Sequence, residues 1–519
     1  MKNFITVFSM LFCTLLIAQN DAVSIAKSEI FKDKKKHTEL VFSEDDGQGG
    51  VVTVRMFYGG LLKTPRGYYI EHFDSDLNLK SNAEIEVDQS EIEGILVSDG
   101  KIHLFEKKLG DEYFEINRLT SSTEKLDFSS NVLLKIDQDD IKKYFAIGIG
   151  ALLFNNGAAQ GDNDSFGEVT FSKDKNFMAF NFDIKDKDNE VHRIYVFNKN
   201  FEKVYEKEFT KNIKDKYFEY ENVTVDDTNG TVYFLGKTFK GESKRKKKKG
   251  KINYHYELYK INKDEQKMIS FETDEHFVAS LTTVKAGSFL SCVGFYSEKK
   301  ESRYKGVIRY NINTADFTLE EKSFQPFTEQ FIIDKYGKKK DKELSSLRYR
   351  GIFLDENTGD IVLNAEEYFF TQRMNMNMGS TSTYYHYNDI VSIKIDANGT
   401  LEWARNINKK QTSMNPSFNE ESYTSTYKDG NVYIFLNGSK KVKKIRNDRI
   451  EFKNAKAKNL NLYLLEIDAE GNFDYSIIQT DDQLEVPLYV SQGTLLDKGE
   501  DIIFLGRKSK KKQLVKVSI

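Results

Sequence analysis

The sequence contains very few cysteines, prolines and tryptophans. Its 519 residues include 2 cysteines, 4 prolines and 1 tryptophan. Cys13 lies in a leading apolar segment, so a chain without that segment keeps only Cys292 and cannot form an intramolecular disulfide. The G-x-S-x-G and H-E-x-x-H motifs are absent, as is any Cys/His cluster with metal-ligand spacing. No cofactor is therefore predicted, and no catalytic motif stands out.

The chain opens with features typical of a secretory signal peptide. Lys2 supplies a positive charge, an apolar run extends from Phe4 to Ile17, and Ala18 is a small residue at which cleavage is expected. Phe12 precedes Cys13, which argues against a lipoprotein. Because no second apolar stretch approaches the roughly 20 residues of a membrane span, residues 1–19 are predicted to direct export of a bacterial protein to the periplasm or the cell exterior.

The rest of the chain repeats one strand pattern. A short apolar strand, a turn rich in Gly, Asp and Asn, and a longer alternating strand recur in segments such as "ILVSDGKIHLFEKK", "VTVDDTNGTVYFLGKTF" and "TSTYKDGNVYIFLNGS". A third strand follows each hairpin and usually a fourth. The turns fall near Gly47, Gly100, Asn176, Gly230, Gly287, Gly359, Gly430 and Gly499. Four-strand units repeated in this way are typical of an all-β fold, the β-propeller.

One pair of segments fixes the register of the repeat. "IDANGTLEWARNI" and "IDAEGNFDYSII" match at an offset of 72 residues, with Trp403 aligned on Tyr475. The unit near Gly47 is the least regular, so seven or eight blades are predicted. The last unit has three clear strands, and the stretch "VSIAKSEIF" is expected to supply its fourth and to close the ring. Residues 20–37 therefore form a closing segment and residues 38–519 the propeller.

Two segments resemble known propeller repeats. "VTFSKDKNFMAFNFDIKDKDNEVHRIYVFN" resembles the repeat of TolB-type propellers, and "VSIKIDANGTLEWARNI" resembles the strand-turn-strand of quinoprotein-type propellers. Each resemblance covers about one blade and implies the architecture alone, because propellers host many unrelated functions. Tryptophan does not recur from blade to blade, which argues against a quinone cofactor.

Basic residues concentrate in one class of loop. If the strands of a blade are named A to D from the axis outward, the glycine turns are A–B turns and the segments after each long strand are B–C connections on the opposite face. Four such segments, 237–253, 297–305, 437–459 and 507–512, contain 27 basic and 5 acidic residues, although the whole chain has a net charge of −3. A face this basic attracts anions; alternatively, the lysines are simply solvated.

The predicted function follows from this charge distribution: a non-catalytic binding propeller whose basic face binds an anionic glycan, lipid or protein. Nucleic acid is a poor candidate because export separates it from the protein and no binding motif is present. The predicted anion-binding residues are Lys244, Arg245, Lys246, Lys247, Lys248, Lys249, Lys440, Lys441, Lys443, Lys444, Lys510, Lys511 and Lys512.

Two alternatives remain open. A carbohydrate hydrolase or lyase would need carboxylates at the channel mouth; Glu366 and Glu367 are adjacent, but neighbours on a strand point to opposite sides. A soft-metal site would use Met374, Met376, Met378 and His386 in "QRMNMNMGSTSTYYHYND", since thioethers favour Cu(I). This stretch is expected to be a B–C loop that packs on its neighbours.

Two excursions interrupt the blades, at about 137–165 and 325–346. The first contains an apolar run, Phe145 to Phe154, which is expected to cover the central channel. In the second, Thr328 is positioned to cap a helix whose Phe327, Phe331 and Ile332 share one face.

Overall fold

The structure is a computed structural model that describes residues 23–35, 37–60, 64–87, 90–141, 166–241, 243–248, 251–301, 303–375, 380–414, 420–456, 459–496 and 499–519. The predicted signal peptide and the apolar run of the first excursion lie outside these residues. Within the described ranges, no helix is long and apolar enough to cross a membrane.

The described residues include eight sheets that each contain four neighbouring antiparallel strands, and we call these sets of four strands blades 1 to 8. Two N-terminal strands, β1 (Ser24–Lys27) and β2 (Phe31–Lys32), precede them. Blade 1 comprises β3 (Thr38–Asp45), β4 (Val51–Gly59), β5 (Thr64–Phe73) and β6 (Leu79–Glu86). Blade 2 comprises β7 (Ser90–Ser98), β8 (Lys101–Leu109), β9 (Tyr113–Ser122) and β10 (Ser129–Asp137). Blade 3 comprises β11 (Phe166–Phe171), β12 (Phe177–Ile184), β13 (Glu190–Asn198) and β14 (Lys203–Lys211).

Blades 4 and 5 have short accessory strands in their connections. Blade 4 comprises β15 (Phe218–Val225), β16 (Val232–Phe239), β19 (Tyr254–Ile261) and β20 (Gln266–Phe271), with the accessory pair β17 (Lys247–Lys248) and β18 (Lys251–Ile252). Blade 5 comprises β21 (Phe277–Ala286), β22 (Phe289–Ser297), β24 (Gly306–Asn313) and β25 (Thr318–Pro326), while β23 (Arg303–Tyr304) pairs with β26 (Leu344–Ser345).

Helix α1 (Glu329–Tyr336) links blade 5 to blade 6. Blade 6 comprises β27 (Leu347–Leu354), β28 (Ile361–Asn375), β29 (Ser380–Ile395) and β30 (Leu401–Ile407), and it is followed by β31 (Lys409–Ser413).

Blade 7 comprises β32 (Thr424–Lys428), β33 (Asn431–Gly438), β36 (Asn461–Ile467) and β37 (Phe473–Gln479), with β34 (Lys443–Lys444) and β35 (Ile450–Lys453) between its second and third strands. Blade 8 comprises β38 (Thr494–Leu496), β39 (Asp501–Lys508) and β40 (Lys511–Ser518) together with β1.

The eight predicted turns all lie between the first and second strands of a blade. Gly47 lies in the turn from β3 to β4, so the least regular unit of the sequence is a genuine hairpin. In the two-residue turn from β32 to β33, Asp429 has φ 49° and Gly430 has φ 85°. Both residues are left-handed, as a tight hairpin matched to strand twist requires.

Buried clusters between neighbouring blades close the ring. Each of eight clusters in the described residues draws its apolar side chains mainly from two adjacent blades. One of them joins Ile503 and Leu514 of blade 8 to Val51 and Phe73 of blade 1. Because every blade buries both faces against its neighbours, the core is a ring of interfaces. The fourth strands are the most exposed; β6, for example, alternates exposed and half-buried residues over most of its length.

The N-terminal segment completes blade 8, as the sequence predicts. β1 pairs antiparallel with β40, with Ile25 opposite Val517. Asp33, just after β2, accepts from both Nη atoms of Arg55 on β4 at 2.8 Å and pairs with Lys512 Nζ of β40 at 2.7 Å. The start and end of the described chain are thus joined to blade 1 by buried ion pairs.

The second excursion contains the predicted helix. Thr328 Oγ1 accepts from Phe331 N at the start of α1, and Gly337, with φ 71°, ends it. Phe331 is completely buried and stacks on Phe327, with ring centroids 4.4 Å apart. Lys335 reaches Asp389 at 2.7 Å and Glu367 at 3.4 Å, which fixes the helix to blade 6.

Candidate functional site

The B–C connections share one end of the propeller with the connections between blades, and we call this surface the loop face. In blades 1 to 3 the B–C connections are short, spanning residues 60–63, 110–112 and 185–189. The four basic segments predicted from the sequence belong to blades 4, 5, 7 and 8. Positive charge is therefore concentrated on one sector of the loop face.

Most of the predicted anion-binding side chains are exposed on this sector. The exposed residues are Lys244, Arg245, Lys246, Lys247, Lys440, Lys441, Lys443, Lys444, Lys510 and Lys511. The side chain of Lys248 and the whole of Lys249 lie outside the described residues. Lys246 pairs with Glu301, and Lys443 lies 3.6 Å from Glu451. Lys440, Lys441 and Lys444 form no ion pair with any described residue, so their charge faces solvent.

Lys512 does not belong to the exposed set. Its side chain is 1% exposed and its Nζ lies 2.7 Å from a carboxylate oxygen of Asp33. The pKa of Lys512 is lowered, mainly by burial and against the pull of Asp33. In a two-residue hairpin such as the one between β39 and β40, neighbouring lysines point to opposite sides of the sheet. Of the three consecutive lysines, Lys510 and Lys511 are therefore exposed to solvent and Lys512 is buried.

Other lysines of the basic segments are also neutralised. Lys237 is 1% exposed and lies 3.3 Å from Glu219, 3.8 Å from Glu221 and 3.5 Å from Glu301. Lys305 pairs with Asp341 at 2.7 Å. The charge balance read from the sequence is therefore larger than the charge that the surface presents.

The methionine-containing stretch is an extended hairpin rather than an irregular loop. β28 and β29 continue beyond the blade and remain paired as far as Asn375 opposite Ser380. Met376 and Met378 lie outside the described residues, and Met374 is 73% exposed. Phe369 stands opposite His386, five positions from Met374 along β28, a separation of roughly 16 Å at strand rise.

His386 is engaged by its neighbours. Its Nε2 lies 2.9 Å from Thr371 Oγ1, its Nδ1 lies 3.1 Å from Thr412 Oγ1, and its ring stacks on Phe369. Met374 and His386 therefore do not share a metal site, because the hairpin holds them far apart. His386 instead helps β31 to dock against the side of the hairpin.

Carboxylates gather at the loop-face ends of the inner strands. Glu91 and Glu93 lie at the start of β7, where Lys107 Nζ is 3.0 Å from Glu93 and 3.8 Å from Glu168. Burial raises the pKa of Glu91 to about 8, and the charge of Glu93 acts in the same direction. Burial also raises the pKa of Glu93, against the pull of Lys107.

The same arrangement recurs in two other blades. Burial raises the pKa of Glu221, at the start of β15, to about 7 although Lys237 is close. Burial, with the charge of Glu421, raises the pKa of Glu420 to about 7 just before β32. Sequence reasoning missed these residues. For Glu91 and Glu221 the signal is a pair of alternate glutamates near the start of the first strand, visible in "SEIEGILV" and "FEYENVTV"; Glu420 and Glu421 are adjacent and precede β32.

Glu366 and Glu367 take separate partners, as expected for adjacent residues on a strand. Glu366 is buried and accepts from Lys409 Nζ at 2.7 Å and from Ser422 Oγ at 2.7 Å. Glu367 faces Lys335 of α1. The two carboxylates do not form a catalytic pair.

A pocket of about 290 Å³ lies between the outer strands of blades 6 and 7. Its lining consists of Asp334, Arg405, Asn406, Ile407, Asn408, Asp448, Arg449, Ile450, Phe473, Asp474 and Tyr475. α1, the end of β30, the start of β37 and the B–C connection of blade 7 supply these residues. The sequence alignment of Trp403 with Tyr475 placed β30 and β37 in equivalent positions but gave no indication of a pocket between them.

The two arginines of the pocket are held in fixed positions. Arg405 donates through Nε to Asp334 Oδ2 at 2.7 Å and through Nη1 to Gly471 O at 2.5 Å. Arg449 donates through Nη1 to Lys335 O at 2.5 Å and through Nε to Arg446 O at 3.2 Å. Preorganised guanidinium groups lose little side-chain entropy when a ligand binds.

Comparison with known proteins identifies no family. No protein-family model matches the chain, and no curated protein sequence matches it either. The suggested kinship with TolB-type or quinoprotein-type propellers thus stays a prediction.

Similar solved structures include two peptidases and a lyase. Prolyl oligopeptidase B from Galerina marginata matches with 10% identity and a TM-score of 0.36, covering 91% of this chain and 55% of that one. Polysaccharide lyase Uly1 matches with 10% identity and a TM-score of 0.36 over 94% of this chain and 99% of that chain. Pyrococcus horikoshii acylaminoacyl peptidase matches with 11% identity, a TM-score of 0.36 and coverage of 86% and 53%. The chain spans about half the length of these peptidases, and likeness at this level has no bearing on activity.

Proposed function

We propose that this protein is a non-catalytic binding propeller whose loop face binds an anionic glycan, such as a sulfated or uronic-acid polymer. The observation that supports the proposal is the set of exposed lysines in the B–C connections of blades 4, 7 and 8, among which Lys440, Lys441 and Lys444 have no ion-pair partner in the described residues. Such a sector attracts polyanions through long-range electrostatics and loses affinity as salt screens the charges.

Retention on a heparin column across a salt gradient tests the proposal. The variant K440S/K441S/K444S is expected to elute at lower salt than the wild type, because each exposed charge pair contributes about 0.2–1 kcal/mol, or roughly threefold to 150-fold in affinity for three. The matched control K125S/K199S/K263S removes three exposed lysines from C–D turns on the opposite face. Equal elution of both variants, or no retention of the wild type, would contradict the proposal. Parallel columns bearing anionic lipid or an acidic protein distinguish the other partners.

We also propose that residues 1–19 direct export. Expression in a Gram-negative bacterium followed by N-terminal sequencing of the periplasmic fraction is expected to give a chain that begins near Gln19 or Asn20. Recovery of the intact N-terminus from the cytoplasm would contradict this.

A second candidate function is cleavage of an anionic polysaccharide at the channel mouth. The inner-strand carboxylates favour it, because raised pKa values at Glu91, Glu221 and Glu420 keep a proton available near neutral pH for general acid catalysis. Release of reducing ends or of unsaturated uronate products from a polysaccharide panel tests this function. Activity that disappears in Glu91→Gln or Glu221→Gln would support it, and a panel without products would count against it.

A further inference from the structure

We propose that the pocket between blades 6 and 7 binds one sugar ring of a saccharide through stacking and hydrogen bonds rather than through net charge. Its volume of about 290 Å³ is just below the range for pockets that hold drug-sized ligands, roughly 300–1,000 Å³. That size suits a single ring at the end or in the middle of a glycan. The site is separate from the channel mouth and from the exposed lysines.

Aromatic rings on β37 form one wall of the pocket. Tyr475 is 38% exposed, and its ring lies nearly parallel to that of Phe473, with centroids 6.1 Å apart and an interplanar angle of 21°. Phe452 packs edge-on against Tyr475 at 5.3 Å and fixes its orientation. A rigid, partly exposed aromatic face with a polar rim is suited to the apolar C–H face of a pyranose.

Asn406 provides a buried acceptor without a donor. The residue is 4% exposed, and its Oδ1 has no hydrogen-bond partner among the described residues. The orientation of the amide is fixed because Nδ2 donates to Asp389 Oδ2 at 3.2 Å, so the oxygen must take the other side. A buried acceptor left unpaired costs about 1–3 kcal/mol. Asn406 also lines the pocket, so a sugar hydroxyl that moves the neighbouring side chains aside would reach this oxygen and satisfy it.

Donors and carboxylates stand on the facing walls. Neither hydrogen of Arg449 Nη2 is donated to an acceptor in the described part of the chain, whereas Nε and Nη1 are engaged. Asp448 and Asp474 line the same pocket and are exposed. Each sugar hydroxyl both donates and accepts, so a wall that mixes guanidinium with carboxylates fits it.

The charges of the lining nearly cancel, which separates this site from the basic sector. Arg405 and Arg449 are balanced by Asp334, Asp448 and Asp474. A strongly anionic ligand would gain little electrostatic attraction here, whereas a neutral polyhydroxylated ring would stack on the aromatic wall and form hydrogen bonds with the polar walls. The B–C connection of blade 7 contributes to both regions, because it contains Lys440, Lys441 and Lys444 as well as Asp448 and Arg449. One glycan chain can thus contact both.

Intrinsic fluorescence gives a direct readout. Trp403 is the only tryptophan of the chain and stands two residues before Arg405 on β30; its Nε1 donates to Ala469 O. The probes are cellobiose, maltose, xylobiose, lactose and N,N′-diacetylchitobiose, with adenosine as a flat non-saccharide ring. Saturation-transfer NMR on the same samples identifies the protons that contact the protein.

At least one disaccharide is expected to bind with a dissociation constant of about 1 mM or lower, unchanged in about 0.5 M salt. Tyr475→Ala and Asn406→Leu are expected to weaken binding tenfold or more. Tyr113→Ala, which removes a 43% exposed ring on blade 2, lies outside the pocket and is expected to bind like the wild type.

Three results would overturn the proposal: no disaccharide binds the wild type saturably, Tyr475→Ala and Asn406→Leu bind as well as the wild type, or adenosine binds more tightly than every sugar. The K440S/K441S/K444S variant separates this proposal from the one on anion binding. It is expected to bind the neutral disaccharide normally even while it loses retention on heparin.

Discussion

At the scale of single residues, the best-defined feature is the buried ion cluster that joins the chain ends to blade 1. Arg55 is 1% exposed and donates to both oxygens of Asp33 and both oxygens of Glu71. Lys512 adds a second cation beside Asp33. Burial alone would raise the pKa of Asp33, but the hydrogen bonds and charges of Arg55 and Lys512 outweigh burial and lower it to about 2.

Asp33→Asn is expected to destabilise the protein by about 3–5 kcal/mol at pH 7, because it leaves Arg55 and Lys512 buried with too little negative charge. Urea denaturation measures the change. The control Asp264→Asn removes a charge from an exposed turn and is expected to stay within about 0.5 kcal/mol of the wild type. An equal effect of the two substitutions would show that the cluster contributes nothing.

The same cluster predicts a direction for acid unfolding. A carboxyl whose folded pKa is depressed stabilises the fold above its unfolded pKa, near 4, and this contribution is lost as pH falls through the folded pKa. For Asp33 that window extends from about pH 4 down to about 2. The wild type is therefore expected to lose stability across this window more steeply than Asp33→Asn, as followed by circular dichroism at fixed urea.

At the scale of elements, the sequence predicts regular local structure well where signals are local. Thr328 and the apolar spacing of Phe327, Phe331 and Ile332 correctly indicated α1, because capping and helical periodicity depend on neighbours within four residues. The extended hairpin of β28 and β29 was predicted as a loop. Its polar tip, "NMNMGSTST", has neither the apolar alternation nor the buried side that identifies a strand.

Thr328→Ala is expected to cost about 1 kcal/mol, since Thr328 Oγ1 satisfies the backbone N–H of Phe331. Thr328→Ser retains the hydroxyl and is the matched control. Hydrogen exchange of residues 329–336 provides the local measurement, with faster exchange expected in the alanine variant alone. Unchanged exchange in that variant would mean that packing of Phe331, rather than the cap, holds the helix.

At the scale of the whole molecule, stability depends on closing the ring. Each blade packs on two neighbours, and the interface of blade 8 with blade 1 is completed by residues from both ends of the described chain. A β-sheet with an open outer edge exposes unpaired backbone groups. Here β1 pairs with β40 and so covers that edge.

Removal of residues 1–33 is therefore expected to loosen blade 8 before the other blades. Hydrogen exchange measured by mass spectrometry should show lost protection in β39 and β40, with blades 3 to 5 little changed. A chain that starts at residue 23 retains β1 and is the control. Uniform protection in both truncated proteins would contradict the idea that the N-terminal strand holds the ring closed.

The candidate sites were predicted only in part from the sequence. The face on which the lysine-rich segments lie followed from strand order, since connections after a blade's second strand return to one end. The neutralisation of Lys237, Lys246 and Lys512 did not follow, because their partners are 18–479 residues away in the chain. The pocket lined by Arg405, Arg449 and Tyr475 was not predicted either, because these residues come from separate segments of the chain.

The sequence by itself determined the architecture, because its hairpin turns and its strand alternation specify the blades and each of these signals acts over a few neighbouring residues. Only the tertiary structure decided which charges face solvent, which carboxylates meet at the inner strands, and that Asn406 lies with an unpaired oxygen beside a pocket. Burial and electrostatic partnership depend on residues that folding brings together from different strands and neighbouring blades, and no local pattern encodes them.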